Sequence, residues 1–190
     1  MIKKIPNIIT VIRLILSFIF IYLFIQGTKN LEALIVFVVA AISDAIDGWL
    51  ARKLKISSKF GENFDPIADK FLTIAALVAF AVQGIVEYWC VAIIVLRDVS
   101  TTVLRYCFFT ESKIPTSKTA KLKTVTQFIF IIMILVLKVF SENDTNIAIN
   151  AILHSEFIFY SMLGITLLTV WTLIEYIFQL FKAKAKNQDG

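Results

Sequence analysis

Histidine occurs once in the 190 residues, cysteine twice and proline three times. So little imidazole and sulfur excludes a disulfide-stapled domain, and equally a soft-metal centre built from thiolates and imidazoles. Cys90 and Cys107 fall in one apolar run without paired spacing and read as small apolar fillers. His154 reads as a loop residue. Three prolines and six glycines are too few for a loop-rich or low-complexity chain. Charge is scarce as well, at 17% of residues, against about 25% in an ordinary soluble domain. What the chain has instead is apolar surface: 58% hydrophobic residues, 17 phenylalanines and a mean hydropathy of +0.82. Disorder and a soluble globular domain are both excluded.

A bilayer core of roughly 30 Å takes about 20 apolar residues per helix, so this length holds at most about six spans. Six apolar runs are present: 8–25, 31–50, 71–82, 88–109, 125–140 and 157–181. The third is short and extends back through Ile67 as an amphipathic entry. With no internal repeat, low-complexity tract or linker, residues 1–190 read as one all-α polytopic membrane domain with six transmembrane helices. The first run follows Lys3 and Lys4 as a secretory signal would. It is longer than a signal's core and no small-x-small cleavage site precedes Thr28, so it reads as a retained helix.

The basic excess, 19 Lys plus Arg against 14 Asp plus Glu, sits in short connections beside these runs. It therefore marks orientation and argues against nucleic-acid binding. Lys3 and Lys4, then Arg52, Lys53, Lys55 and Lys59, then Lys113, Lys118, Lys121 and Lys123, then Lys182, Lys184 and Lys186 occupy alternate connections and both ends. Both termini are expected in the cytosol. The absence of an Arg-rich, Ser-rich leader before the first helix favours a prokaryotic source, hence the plasma (inner) membrane. Tyr88 and Trp89 suit an interfacial belt.

Four carboxylates stand against this apolar background. Asp44, Asp47, Asp65 and Asp69 lie inside or against apolar helices, where an ionised side chain costs at least about 2.5 kcal/mol by insertion scales. On a helix Asp44, Asp47, Gly48, Ala51 and Arg52 fall within an arc of roughly 140°. Two carboxylates one turn apart share a face that Gly48 and Ala51 leave nearly bare. Gly61, Asp65 and Asp69 repeat the device at four-residue steps if that segment is helical. Pro66 makes Asp65 an alternative N-cap, with the helix starting at the proline. A bound divalent cation is the economical compensation, and an all-oxygen set suits Mg²⁺ or Mn²⁺. Ion pairing with Arg52, Lys53, Lys55 and Lys70 is the alternative, but it would not require small residues on those faces.

Asp44-x2-Asp47-Gly48-x2-Ala51-Arg52-x8-Gly61-x3-Asp65-x3-Asp69 resembles, at every fixed position, the signature of the CDP-alcohol phosphatidyltransferase family. The resemblance implies a six-helix membrane enzyme, usually a homodimer, that displaces CMP from a CDP-linked lipid with an alcohol. It implies two divalent ions held by Asp44, Asp47, Asp65 and Asp69, with Asp69 also the catalytic base. A carboxylate that ligates metal is a weak base unless the metal also acidifies the alcohol, so the base role is the less secure of the two. Gly48 and Gly61 would admit the cytidine moiety, and Arg52 would contact phosphate or nucleotide. Pro6-Asn7-x2-Thr10-x2-Arg13 resembles the opening of the phosphatidylglycerophosphate synthase branch, which places Asn7 and Thr10 beside the nucleotide. A helix N-cap is the competing role for Asn7, and snorkelling for Arg13.

The acceptor is read from a second basic set. Arg97 and Arg105 are eight residues apart and face nearly the same way on a helix. Asp98 adjoins Arg97 in sequence but not on its face, so the two are not expected to form a self-contained pair. Arg97, Arg105, Lys121 and Lys123 together would receive the phosphate of a dianionic acceptor. Glycerol 3-phosphate is such an acceptor; choline, ethanolamine and serine are not. The Arg-Asp pair, the Lys-x-Lys-Thr run and Ile174-Glu175-Tyr176 resemble the same branch. Ala120 and Asp98 depart from it, at positions where that branch commonly has Gly and Glu. The expected reaction transfers the phosphatidyl group of CDP-diacylglycerol to glycerol 3-phosphate at the cytosolic face. Cardiolipin synthesis from phosphatidylglycerol is the alternative, because an Arg-Asp-Val stretch also resembles that branch. A divalent-cation transporter would need midplane ligands and usually an inverted repeat, and neither is present.

Overall fold

The computed structural model describes residues 5–54, 59–108, 118–141 and 147–186, with side chains over 11–43, 70–104, 119–141, 149 and 151–181. Every regular element among them is helical: α1 Ile5–Gln26, α2 Asn30–Leu54, α3 Lys59–Val82, α4 Tyr88–Phe108, α5 Lys118–Ser141, α6 Ile147–Leu153 and α7 Glu156–Lys186. Six are long; the short α6 was not anticipated in the connection before the last helix. Thr119–Ser141 and Ala151–Phe181 are long and apolar enough to cross a membrane. Val11–Gln26, Asn30–Ser43 and Lys70–Val82 are shorter apolar helices.

The turns follow from residues that tolerate left-handed backbone. Gly27 (φ 72°) ends α1, and Asn30 at the head of α2 donates its side-chain amide to the Gly27 carbonyl. Gly84 (φ 69°) ends α3. There the Ile85 amide returns to the Phe80 carbonyl at 2.9 Å and the Gly84 amide to Ala81 at 2.9 Å, the paired bonds of a Schellman stop. Gln83 donates to the Phe24 carbonyl at 2.8 Å, so the ends of α1 and α3 lie together. The α3–α4 turn and the α6–α7 turn line one small cavity, which puts them at that same end. The starts of α3, α5 and the end of α7 accordingly lie at the other.

The core is aromatic and small by turns. Phe20, Phe24, Phe37 and Phe80 are fully buried, and the ring contacts Phe24–Phe80, Phe20–Phe37 and Phe37–Phe128 tie α1, α2, α3 and α5 together. Ala33, Ala40, Ala76 and Ala79, all fully buried, let helices approach closely. The exterior is apolar too: Phe18, Leu96, Ile129, Leu167 and Phe178 are each more than 60% exposed. Arg13, Asp98, Lys123 and Gln127 are instead buried. Large apolar side chains facing outward while charged ones are buried is the arrangement of a membrane protein.

Arg13 corrects one expectation. It is 2% exposed, so it points into the bundle and does not snorkel along lipid. α3 decides another: the helix begins at Lys59 and runs through Pro66, so neither an Asp65 cap nor a start at the proline occurs. The proline removes one amide donor to the turn before it, a loss that neighbouring groups make good in membrane helices.

Candidate active site

The sequence puts four aspartates on two successive helices, and the backbone keeps them there. Asp44 and Asp47 lie on α2, and Gly61, Asp65 and Asp69 follow one another at single-turn steps along α3. The side chains of Asp44, Asp47, Gly48, Arg52, Gly61, Asp65 and Asp69 lie outside the described residues, as do those of Asn7, Thr10 and Arg105. Their donor chemistry fits a hard cation: carboxylate oxygen only, from two packed helices, with no thiolate or imidazole in either segment. Among the residues whose side chains are described, no group of three or more His, Cys, Asp or Glu could hold a metal ion.

Immediately after Asp69 the side chains are described, and they form a polar cluster. Lys70 on α3 reaches α4, donating to the main-chain carbonyl of Asp98 at 2.8 Å and to the Thr102 hydroxyl at 2.6 Å. Asp98 itself is 4% exposed. Its Oδ1 accepts from Arg97 Nη1 at 2.9 Å and from Lys123 Nζ at 3.0 Å, and its Oδ2 accepts from Lys123 at 2.9 Å. Arg97 Nη2 donates to the Thr172 hydroxyl of α7 at 2.9 Å. One turn further along α7, Glu175 accepts from the Thr119 hydroxyl of α5 and, at 3.2 Å, from Gln179. The ring Asp98–Arg97–Thr172 on one side and Asp98–Lys123 with Thr119–Glu175 on the other fastens α4, α5 and α7 to one another.

Of the four expected acceptor cations, two meet. Arg97 and Lys123 share Asp98. Lys121, two residues before Lys123, is exposed, because a two-residue step turns a helix position to another side. Arg105 lies outside the described side chains. Arg97 and Asp98 pair, since the long arginine spans the gap between adjacent helix positions that diverge at Cβ, and the expectation about them holds. The pair is not self-contained, since Lys123 joins it.

The hub role of Asp98 was missed in the sequence, although it is the one acid in the apolar run 88–109. Thr172 and Thr102 carried no signal at all, since a threonine on an apolar helix usually bonds its own backbone. Cys90 is buried as a filler, and His154 is exposed in the turn between α6 and α7. Both stand at the end of the bundle away from the aspartates.

The sequence model of the CDP-alcohol phosphatidyltransferase family matches residues 3–173. A Mycobacterium tuberculosis protein described as a probable phosphatidylglycerophosphate synthase is 36% identical over 135 residues, covering 68% of this chain and 65% of its own. A CDP-diacylglycerol–glycerol-3-phosphate 3-phosphatidyltransferase of Mycoplasma pneumoniae is 32% identical over 158 residues, 80% of this chain and 69% of its own. One of the same description from Cereibacter sphaeroides is 38% identical over 136 residues, 67% and 61% respectively. The match thus spans about two thirds of the length of these relatives.

Proposed function

Because the chain belongs to the CDP-alcohol phosphatidyltransferase family, we propose that it transfers the phosphatidyl group of CDP-diacylglycerol to glycerol 3-phosphate, yielding phosphatidylglycerophosphate and CMP. The observation that carries the reading is the signature from Asp44 to Asp69 on two successive helices, followed directly by a set of cations in which Lys70 and Arg97 are half-buried and Lys123 is buried. The names of the relatives point the same way.

In this reading Asp44, Asp47, Asp65 and Asp69 hold two divalent ions, Mg²⁺ or Mn²⁺. When bound, such ions neutralise charge on a pyrophosphate. Asn7, Thr10, Gly48, Arg52 and Gly61 bind the nucleotide. Arg97 and Lys123 receive the acceptor phosphate inside the bundle, and Arg105 and Lys121 complete the basic set of this reading. The 1-hydroxyl oxygen of glycerol 3-phosphate bonds to the β-phosphorus, which carries the diacylglycerol. The bond from that phosphorus to the bridging oxygen breaks, CMP leaves with the oxygen, and the hydroxyl proton passes to the Asp69 carboxylate. Six spans with both termini and the active site facing the cytosol, a prokaryotic plasma membrane and a homodimer complete the proposal. The alternation of basic connections supports that orientation.

The test is Mg²⁺-dependent release of CMP from CDP-diacylglycerol by the purified protein, with glycerol 3-phosphate and phosphatidylglycerol as separate acceptors. Release with glycerol 3-phosphate is the expected result. Release with phosphatidylglycerol alone would reassign the chain to cardiolipin synthesis, and metal flux into liposomes without substrate would make it a transporter.

A further inference from the structure

Two cations from two helices share a single buried carboxylate. Arg97 contributes one bond to Asp98 and Lys123 two, and both oxygens of Asp98 are engaged. The residue is 4% exposed and Lys123 3%. Like charges this close repel strongly in a low-dielectric bundle, so the carboxylate between them is what keeps the two side by side. Among the described residues, Asp98 is the one carboxylate bonded to both cations. Arg97 also retains a buried Nε with no hydrogen-bond partner among the described residues, a donor facing an interior that supplies it no acceptor. Its Nη2 is meanwhile fixed by Thr172, so the guanidinium is held from two sides and cannot rotate to satisfy that donor elsewhere. Two adjacent cations and an unmatched donor on a guanidinium held from two sides are the complement of an anionic oxygen.

We propose that Asp98 is the positioning residue of the acceptor site: it holds Arg97 and Lys123 together so that both meet the acceptor's phosphate, and Thr172 fixes the second side of Arg97. This rests on the reading of the protein as a transferase to a phosphate-bearing alcohol. It adds that acceptor recognition depends on a residue that does not itself touch the acceptor. An acid at 98 would repel a phosphate if it stood alone; its value is in the cations it fixes.

The experiment is steady-state CMP release by the full-length protein in detergent, with each substrate varied while the other is saturating. In Asp98→Asn the KM for glycerol 3-phosphate is expected to rise at least about tenfold while that for CDP-diacylglycerol changes less than about twofold. Asp98→Glu is expected to recover most of the loss, since it restores the counter-ion. A folded Asp98→Asn protein with an unchanged KM for glycerol 3-phosphate overturns the proposal, and so does an equal rise in both KM values. Should Asp98→Asn fail to fold, Thr172→Val releases one side of Arg97 without changing charge; the same selective rise is expected, and its absence is equally decisive. If the wild type accepts only phosphatidylglycerol, the function proposed above fails, while the role of Asp98 is then read from the KM for that phosphodiester. Turnover only with uncharged alcohols overturns both.

Discussion

Lys70, the residue after Asp69, is bonded through its ammonium to the Asp98 carbonyl at 2.8 Å and the Thr102 hydroxyl at 2.6 Å. One side chain thereby joins the aspartate helix α3 to the cation cluster on α4. The proposed reaction between a nucleotide lipid and an alcohol requires the two reactants to be held in fixed relation, and small displacements are costly.

Lys70→Met is expected to weaken that link. Hydrogen bonds from a charged donor contribute about 1.5–3 kcal/mol, so a lower thermal midpoint in detergent is expected together with a drop in kcat. Lys70→Arg keeps the charge but not the compact geometry, and its kcat should lie between those of Lys70→Met and wild type. Unchanged kcat in Lys70→Met would show that α3 and α4 need no such strut.

Chelation and the aspartate variants separate metal binding from proton transfer. EDTA should abolish CMP release, and Mg²⁺ or Mn²⁺ should restore it. Asp44→Asn, Asp47→Asn and Asp65→Asn should weaken Mn²⁺ binding measured by calorimetry. Asp69→Asn should retain part of that binding while kcat falls about 100-fold to 10,000-fold, the usual range for losing a general base. Wild-type turnover in Asp69→Asn would remove the base from the mechanism.

Thr119 and Glu175 join the start of α5 to the end of α7. Thr119→Val should cost about 1.5–3 kcal/mol, since it removes a hydrogen bond to a charged acceptor. Glu175→Gln should cost less, because an amide oxygen still accepts. Equal unfolding midpoints for all three proteins would deny the latch any structural role.

The apolar exterior makes its own prediction. Ile129 is 63% exposed on α5, and a cation at the middle of a membrane helix costs about 2.5–3.5 kcal/mol to insert. Ile129→Arg should therefore reduce the fraction retained in membranes after carbonate extraction. Full retention would place that face against protein.

At the opposite end of the bundle, Gly84 adopts φ 69° with nothing within 4 Å of an added Cβ. Gly84→Ala should cost about 1–2 kcal/mol from backbone strain alone, with turnover unaffected because the aspartates are distant. The check is a lowered midpoint at wild-type kcat.

Sequence alone determined the class, the six long helices and the aspartate signature, because each is a local property. An apolar run long enough for a bilayer must be helical to satisfy its own backbone, and carboxylates at three- and four-residue spacing share a face wherever the helix goes. Even the ambiguity at Pro66 was local, since a proline fits either the first turn of a helix or, with neighbours to compensate, its interior; the chain took the second. What the tertiary structure alone decided is which charges meet. Lys121 and Lys123 look alike in sequence, yet only Lys123 turns inward to Asp98. Arg13 could have reached the interface but is buried. Thr172 is 75 residues from Arg97, and no periodicity on α7 reveals what α4 will place beside it. Partner choice between helices depends on rotation and crossing, which are set by packing across the whole bundle, and so it cannot be read from any one segment.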